Sequence, residues 1–163
     1  MTNSKVFRTI PDLCTGCMTC ELMCSLKKTG RVNPAYARIT IHRSLEDGEC
    51  TPTICRHCKV PLCQKACQVP DAMFEDKQTS AIVIDEKKCT GCRACADACP
   101  FNAIQIGPEG EVLKCDLCGG DPVCVKYCQP RPSQPFPHLA YPWASCLEYV
   151  ERNKVTRKQI ISQ

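Results

Sequence analysis

Sixteen of the eighteen cysteines in this 163-residue chain fall into four short runs, and any fold it adopts has to put those thiols to use. The first run is Cys14, Cys17, Cys20 and Cys24, spaced C-x2-C-x2-C-x3-C. The third, Cys89, Cys92, Cys95 and Cys99, repeats that spacing inside CTGCRACADACP and ends on Pro100. The second (Cys55, Cys58, Cys63, Cys67) widens the middle gap to four residues, and the fourth (Cys115, Cys118, Cys124, Cys128) widens it to five. Cys50 and Cys146 stand outside. Thiols at this density mean a disulfide scaffold or metal sites. The N-terminus, MTNSKVFRTI, has neither the apolar stretch of a signal peptide nor a twin arginine, and no run approaches the length of a membrane span. A cytoplasmic location is therefore expected, where thiols stay reduced, and metal is favoured over disulfides. Aromatic residues make up only 6% of the chain, so an apolar core is thin and something else must cross-link it.

The C-x2-C-x2-C-x3-C-P run is the bacterial ferredoxin signature. Three thiolates two residues apart let a tight loop curl round three irons of one 4Fe–4S cubane. Gly16 and Gly91 sit where such a loop can use positive φ and bring backbone N–H groups near sulfur. The fourth cysteine follows after one turn of helix, points away from that cubane and serves the neighbouring cluster of a pair. Zinc is the competing reading, because the pairs Cys55–Cys58 and Cys115–Cys118 could be joined into a ribbon. Zinc sites, however, separate their pairs by longer stretches and have no use for three cysteines in seven residues followed by a fourth. The second and fourth runs gain support from the first and third, each of which exports a ligand that needs a recipient. Sixteen thiolates around four doubly positive cores take the formal charge from +4 to about −4. The basic balance is thus no sign of nucleic acid, and Lys and Arg form no stripe interleaved with aromatics.

Between the runs lie hairpin signals. ARITIHRS (37–44) and ECTPTIC (49–55) flank LEDGE; MFEDKQTSAIVID (73–85) turns at DKQTS; NAIQIGPEGEVLK (102–114) turns at GPEG. Short helices are expected after the third cysteine of each run, as in CADACP and CQKACQ. The fold class is α+β: two fused bacterial-ferredoxin-like dicluster units, a doubled ferredoxin fold, with a Pro-rich C-terminal arm.

CRHCKVPLCQKAC, AIVIDEKKCTGCRACADACPFNAI and VLKCDLCGGDPVCVKYC resemble the four-cluster iron–sulfur subunits of molybdenum and tungsten oxidoreductases, over roughly residues 10 to 130. That group includes the electron-transfer subunits of dimethyl sulfoxide reductases, formate dehydrogenases and hydrogenases. Within it the chain looks most like the small subunit serving tungsten aldehyde oxidoreductases, with that of tungsten benzoyl-CoA reductases as the near alternative. The resemblance implies a nested pairing. One cubane takes Cys14, Cys17, Cys20 and Cys128, and its partner takes Cys115, Cys118, Cys124 and Cys24. A third takes Cys55, Cys58, Cys63 and Cys99, and the last takes Cys89, Cys92, Cys95 and Cys67. Residues 1–48 then pair with 107–130, residues 49–106 form an inserted dicluster unit, and 131–163 are a Pro-rich arm with a short helix. Spacing by itself leaves a sequential pairing open. Ser25, Gln68 and Gln129 replace the motif's proline, which is not a ligand, and the middle gap of the fourth run is short for the group. All sixteen positions keep cysteine, so four 4Fe–4S clusters are implied.

The resemblance further implies a non-catalytic subunit that conducts single electrons along a line of four clusters. Its partners would be a pterin-tungsten or molybdenum catalytic subunit and a flavin-containing NAD-reducing subunit or ferredoxin. No nucleophile–base set, phosphate loop or dinucleotide fingerprint argues otherwise. The alternatives are a free polyferredoxin carrier, a zinc-stabilised interaction module, and copies stacked end to end into a conducting filament.

Of the remaining residues, His57 reads as a turn residue near the surface, with hydrogen bonding to a cluster as the alternative. Cys50 and Cys146 read as small buried hydrophobes. His42 and His138 carry no motif, and Pro61, Pro122 and Asp121 read as shaping ligand loops. QPRPSQPFPHLAYPW (129–143) reads as an extended arm that docks a partner or wraps its own clusters. Trp143, Leu147 and Val150 stand at helical spacing, predicting a short helix. Deleting residues 131 to 163 is then expected to spare the clusters and weaken association.

Overall fold

The computed structural model describes residues 5–129, 131–132 and 143–155. Every sheet among them is a two-stranded antiparallel ribbon, and the segments between ribbons carry the cysteines. Three ribbons are the local hairpins that the turn signals predict. β2 (Ile39–Arg43) pairs with β3 (Cys50–Ile54), β4 (Met73–Glu75) with β5 (Ile82–Ile84), and β6 (Ile104–Ile106) with β7 (Val112–Lys114). Each turn has a visible local cause. Gly48 and Gly110 take left-handed φ of 73° and 86°, which an L side chain disfavours. In the middle turn the Asp76 carboxylate accepts from the Thr79 N–H at 2.8 Å and its hydroxyl at 2.6 Å, a side-chain substitute for a backbone turn.

The remaining long ribbon joins the ends of the chain. β1 (Lys5–Thr9) pairs with Leu147–Glu151, in register from Lys5↔Glu151 to Thr9↔Leu147. A shorter ladder joins Arg131–Pro132 (β8) to Trp143–Ala144 (β9), which makes Leu147–Glu151 strand β10. The short helix predicted here is therefore a strand. An isolated helix of this length is marginal in water, whereas pairing with β1 satisfies the backbone and buries Cys146 and Leu147. The Phe7 and Tyr149 rings meet across the ladder at 5.7 Å, and Arg8 forms an ion pair with Glu148. The segment 131–163, expected to be an arm, thus includes a strand paired with β1, which its deletion would remove. Most of the Pro-rich stretch, with His138, lies outside the described residues.

Four helices carry the cluster-type segments: α1 (Thr19–Thr29), α2 (Leu62–Lys65), α3 (Ala94–Asp97) and α4 (Val123–Lys126). Each starts one residue before the third cysteine of its run, so that cysteine sits in the first turn. Pro100 follows the third run, and a proline cannot continue a helix. Ser25 stands at the matching place in α1 and lets it run on to Thr29 and a left-handed Gly30 cap. Its hydroxyl donates to the Leu22 carbonyl at 2.9 Å and accepts the Asn33 N–H at 3.1 Å. α1 lies against α4 and α2 against α3. Two small cores result, one around Phe7, Ile39, Ile54, Leu117 and Leu147, the other around Met73, Ile82, Ile104 and Val112, and cysteines are built into both.

Candidate metal centres

The four segments share one backbone device. The residue just before the second cysteine has left-handed φ in every run: Gly16 at 66°, His57 at 45°, Gly91 at 70° and Leu117 at 58°. That bend turns the loop so that successive cysteines face one side. The third cysteine is then delivered in two ways. In the C-x2-C-x2-C runs the helix starts after a left-handed Met18 or Arg93 (φ 58° and 65°). In the two wider runs it starts after Pro61 or Pro122 (φ −77° and −69°), where a fixed φ spans the longer gap.

Among the described residues these loops surround four cavities, each lined by four cysteines of the runs. The first is lined by Cys14, Cys17, Cys20 and Cys128, and is the widest at about 250 Å³. The second is lined by Cys24, Cys115, Cys118 and Cys124. The third has Cys55, Cys58, Cys63 and Cys99, and the fourth Cys67, Cys89, Cys92 and Cys95. Every set takes three thiols from one run and one from another. Neighbouring sets touch electrostatically in a row: Cys124 feels Cys20, Cys115 feels Cys55, and Cys95 feels Cys63.

The chemistry of these linings tests what could fill them. Burial, with Glu21 next, pushes the Cys20 thiol up to about 12, and burial, with Cys89 next, pushes Cys95 up to about 11. Burial raises Cys115 and Cys124 as well. Thiolates facing one another in such surroundings need a polycationic partner. Among the described residues no three His, Cys, Asp or Glu side chains converge tightly enough for one ion. The donor set is soft sulfur throughout, as an iron–sulfur cluster requires. The unpartnered buried polar atoms also fit, because Nε2 of His57 and Nη1 of Arg56 belong to the third lining and Nη1 of Arg38 to the second. The residues present therefore suit 4Fe–4S groups.

Polar groups beside the thiols differ from site to site. At the second, the Arg38 N–H donates to Cys24 Sγ at 3.3 Å and Lys28 Nζ pairs with Asp116 at 2.5 Å. Burial works against the Asp116 charge, but Lys28 outweighs it and holds the carboxyl below its usual value. At the third, Lys114 is buried, donates to Cys55 Sγ at 3.3 Å, and bonds the Ile82 carbonyl. Nothing in the sequence singled out Lys114; its place directly before Cys115, on strand β7, was the available signal. His57 is a correction. It is buried, not a surface turn residue: the Ile82 N–H donates to its Nδ1 at 3.2 Å, and Arg152 Nη2 bonds its carbonyl at 3.1 Å. Burial, then Lys114, lowers its pKa to about 3, so the ring is neutral at ordinary pH. Cys50 and Cys146 are buried, and Cys146 also joins the first lining with Cys14. Pro61 and Pro122 do line the third and second cavities, Asp121 is exposed beside Pro122, and His42 is exposed on β2.

Comparison with known proteins reaches the same chemistry. A family described as a 4Fe–4S dicluster domain matches residues 46–134. The polyferredoxin-like subunit of the aliphatic sulfonate oxidoreductase of Pyrococcus furiosus is 41% identical over 119 residues, covering 72% of this chain and 68% of the relative. A subunit of the anaerobic dimethyl sulfoxide reductase of Escherichia coli K12 is 32% identical over 150 residues, covering 80% of this chain and 72% of the relative. Among solved structures, the active site complex BamBC of benzoyl coenzyme A reductase with benzoyl-CoA aligns with 97% of this chain and 85% of that chain, at 22% identity and a TM-score of 0.47.

Proposed function

The protein belongs to the 4Fe–4S dicluster domain family, and we propose that it is an electron-transfer subunit holding four 4Fe–4S clusters for an oxidoreductase complex. The observation that carries this reading is the set of four cavities, each lined by four cysteines, three from one run and one from another. Cys128 and Cys24 exchange places between the first and second sites, and Cys99 and Cys67 between the third and fourth. Each bound cluster supplies a one-electron couple. The chain's own residues fix the spacing of the sites, because every exported cysteine ties two of them together. They also exclude water through Phe7, Ile39, Ile54 and Leu117, and offer hydrogen bonds to sulfur from the Arg38 amide and Lys114.

The relatives' names support a partner of this kind. The relatives are named as subunits of an aliphatic sulfonate oxidoreductase and of a dimethyl sulfoxide reductase. On this reading a catalytic subunit exchanges electrons with one end of the row and a flavin-containing NAD-reducing subunit or ferredoxin with the other. Of the catalytic partners, a pterin-tungsten aldehyde oxidoreductase suits the sequence resemblance best. No helix among the described residues is long and apolar enough to cross a membrane. Anaerobic isolation of the tagged chain from its native cell, with metal analysis, tests the reading. Tungsten or molybdenum should accompany the iron, and the partner's substrate should bleach the visible absorption. An iron-bearing chain isolated alone makes it a free carrier, and a colourless zinc protein overturns the reading.

A further inference from the structure

The position before the second cysteine is occupied by Gly16, His57, Gly91 and Leu117, all with left-handed φ. Glycine is the natural choice there, and a side chain at such a φ costs stability. Leu117 offsets that cost by filling the core, where it is 1% exposed. His57 does not. The residue is 6% exposed, Nδ1 is used by the Ile82 N–H at 3.2 Å, and Nε2 has no partner among the described residues. Since Nδ1 accepts a proton donor, the ring's own hydrogen sits on Nε2. A strained residue thus buries an unmatched N–H donor in the wall of the third cavity.

Among the described residues, the third lining is also the most electropositive of the four. It holds Arg56 and Lys114 beside the neutral His57, and no carboxylate. Arg56 stacks its guanidinium 3.9 Å from the Phe101 ring, and Lys114 touches Cys55. Among the described residues, the second lining sets Asp116 beside Lys28 and Arg38, the fourth has Arg93 alone, and the first has no basic side chain.

We propose that His57 donates its Nε2 hydrogen to the sulfur of the cluster held by Cys55, Cys58, Cys63 and Cys99, and with Lys114 makes it the most easily reduced of the four. Donors to sulfur stabilise the more negative, one-electron-reduced state more than the oxidised one, which raises the potential. One electron arrives and one leaves, and the imidazole keeps its proton. The row would then have an electron resting place at an inner position, beside the second site, to which Lys114 is joined through Cys115. This rests on the four-cluster reading above.

Two substitutions separate the ring's two nitrogens. In His57→Asn the side-chain oxygen can still accept from Ile82, but the Nε2 donor is gone. In His57→Gln the terminal amide restores a donor near Nε2. Dithionite titrations of the holoprotein, followed by EPR, should show the highest-potential component of wild type falling about tenfold in its reduction equilibrium in His57→Asn, or ~59 mV for one electron. The other three components should stay, and His57→Gln should recover most of the shift. No movement, movement of a lower component, or failure of His57→Gln to recover it overturns the inference. If His57→Asn assembles too little cluster to titrate, pulsed EPR on reduced wild type carrying 15N-histidine decides. A nitrogen coupling on the first cluster reduced supports the donor, and its absence refutes it. Iron and sulfide counts keep the two claims apart. Wild type without iron sinks the cluster reading, whereas full iron with an unshifted variant sinks only this one.

Discussion

Gly16 and Gly91 occupy equivalent loop positions with nearly equal φ, 66° and 70°, yet their surroundings differ. A Cβ at Gly91 has as its nearest neighbour the Gly110 carbonyl oxygen at 3.8 Å, ordinary contact. A Cβ at Gly16 lands 2.6 Å from Cys50 Sγ and 2.8 Å from an Arg43 guanidinium nitrogen. The arginine end can swing away; Cys50, 7% exposed, cannot. Gly91→Ala therefore carries only the left-handed cost of ~1–2 kcal/mol. Gly16→Ala carries that plus an overpacking cost of ~1–3 kcal/mol. Cluster loss is irreversible, so the readout is a rate: the bleaching of the visible chromophore under argon at one elevated temperature. If the excess strain is released in the unfolding transition state, Gly16→Ala should bleach roughly 5- to 150-fold faster than Gly91→Ala. Adding Cys50→Ala, which removes no cluster ligand, should bring Gly16→Ala back to the Gly91→Ala rate. Equal rates for the two single variants, or no relief from Cys50→Ala, would refute the close-packing argument.

Cys99→Ala should eliminate the centre built mainly from the second run, because Cys99 lines the third cavity. EPR that instead shows only the Cys89 centre altered contradicts the exchange of ligands. Deleting residues 131 to 163 removes β10, Cys146 and Leu147, and should make the first site labile with a loss of about four irons; a truncated protein with full iron contradicts that. Stripping iron with a chelator and oxidant should abolish the cooperative unfolding transition, since the thiols occupy the places where a core would be. A chelated chain that still melts sharply and keeps slow amide exchange would show that the metal is dispensable for folding.

What could be read from the sequence was what is local. The three hairpins follow from alternation and from turn residues such as Gly48, Asp76 and Gly110, and the bends at Gly16 and Gly91 follow from the loops' need for positive φ. The β1–β10 ribbon was not legible, because Arg8 and Glu148 pair across 140 residues with no turn between them to announce it. Trp143, Leu147 and Val150 fit a helical period, and a five-residue strand offers too few alternations to compete. His57 was misread for a different reason: a motif position carries no burial. Aligning the four runs on their second cysteines sets His57 beside Gly16, Gly91 and Leu117, and that register was the signal that could have found it. Lys114 is invisible in spacing altogether, because its importance comes from β7 carrying it under Ile82 and Cys55.

The central claim is that thiolate-held iron and sulfide take the place of an ordinary interior and form a row of one-electron sites. Iron and acid-labile sulfide per polypeptide, measured on anaerobically purified protein, test it most directly. About sixteen of each are predicted, with the broad brown absorption of cubane clusters. A count of eight or fewer from fully reduced, undamaged material, or zinc in place of iron, would contradict it.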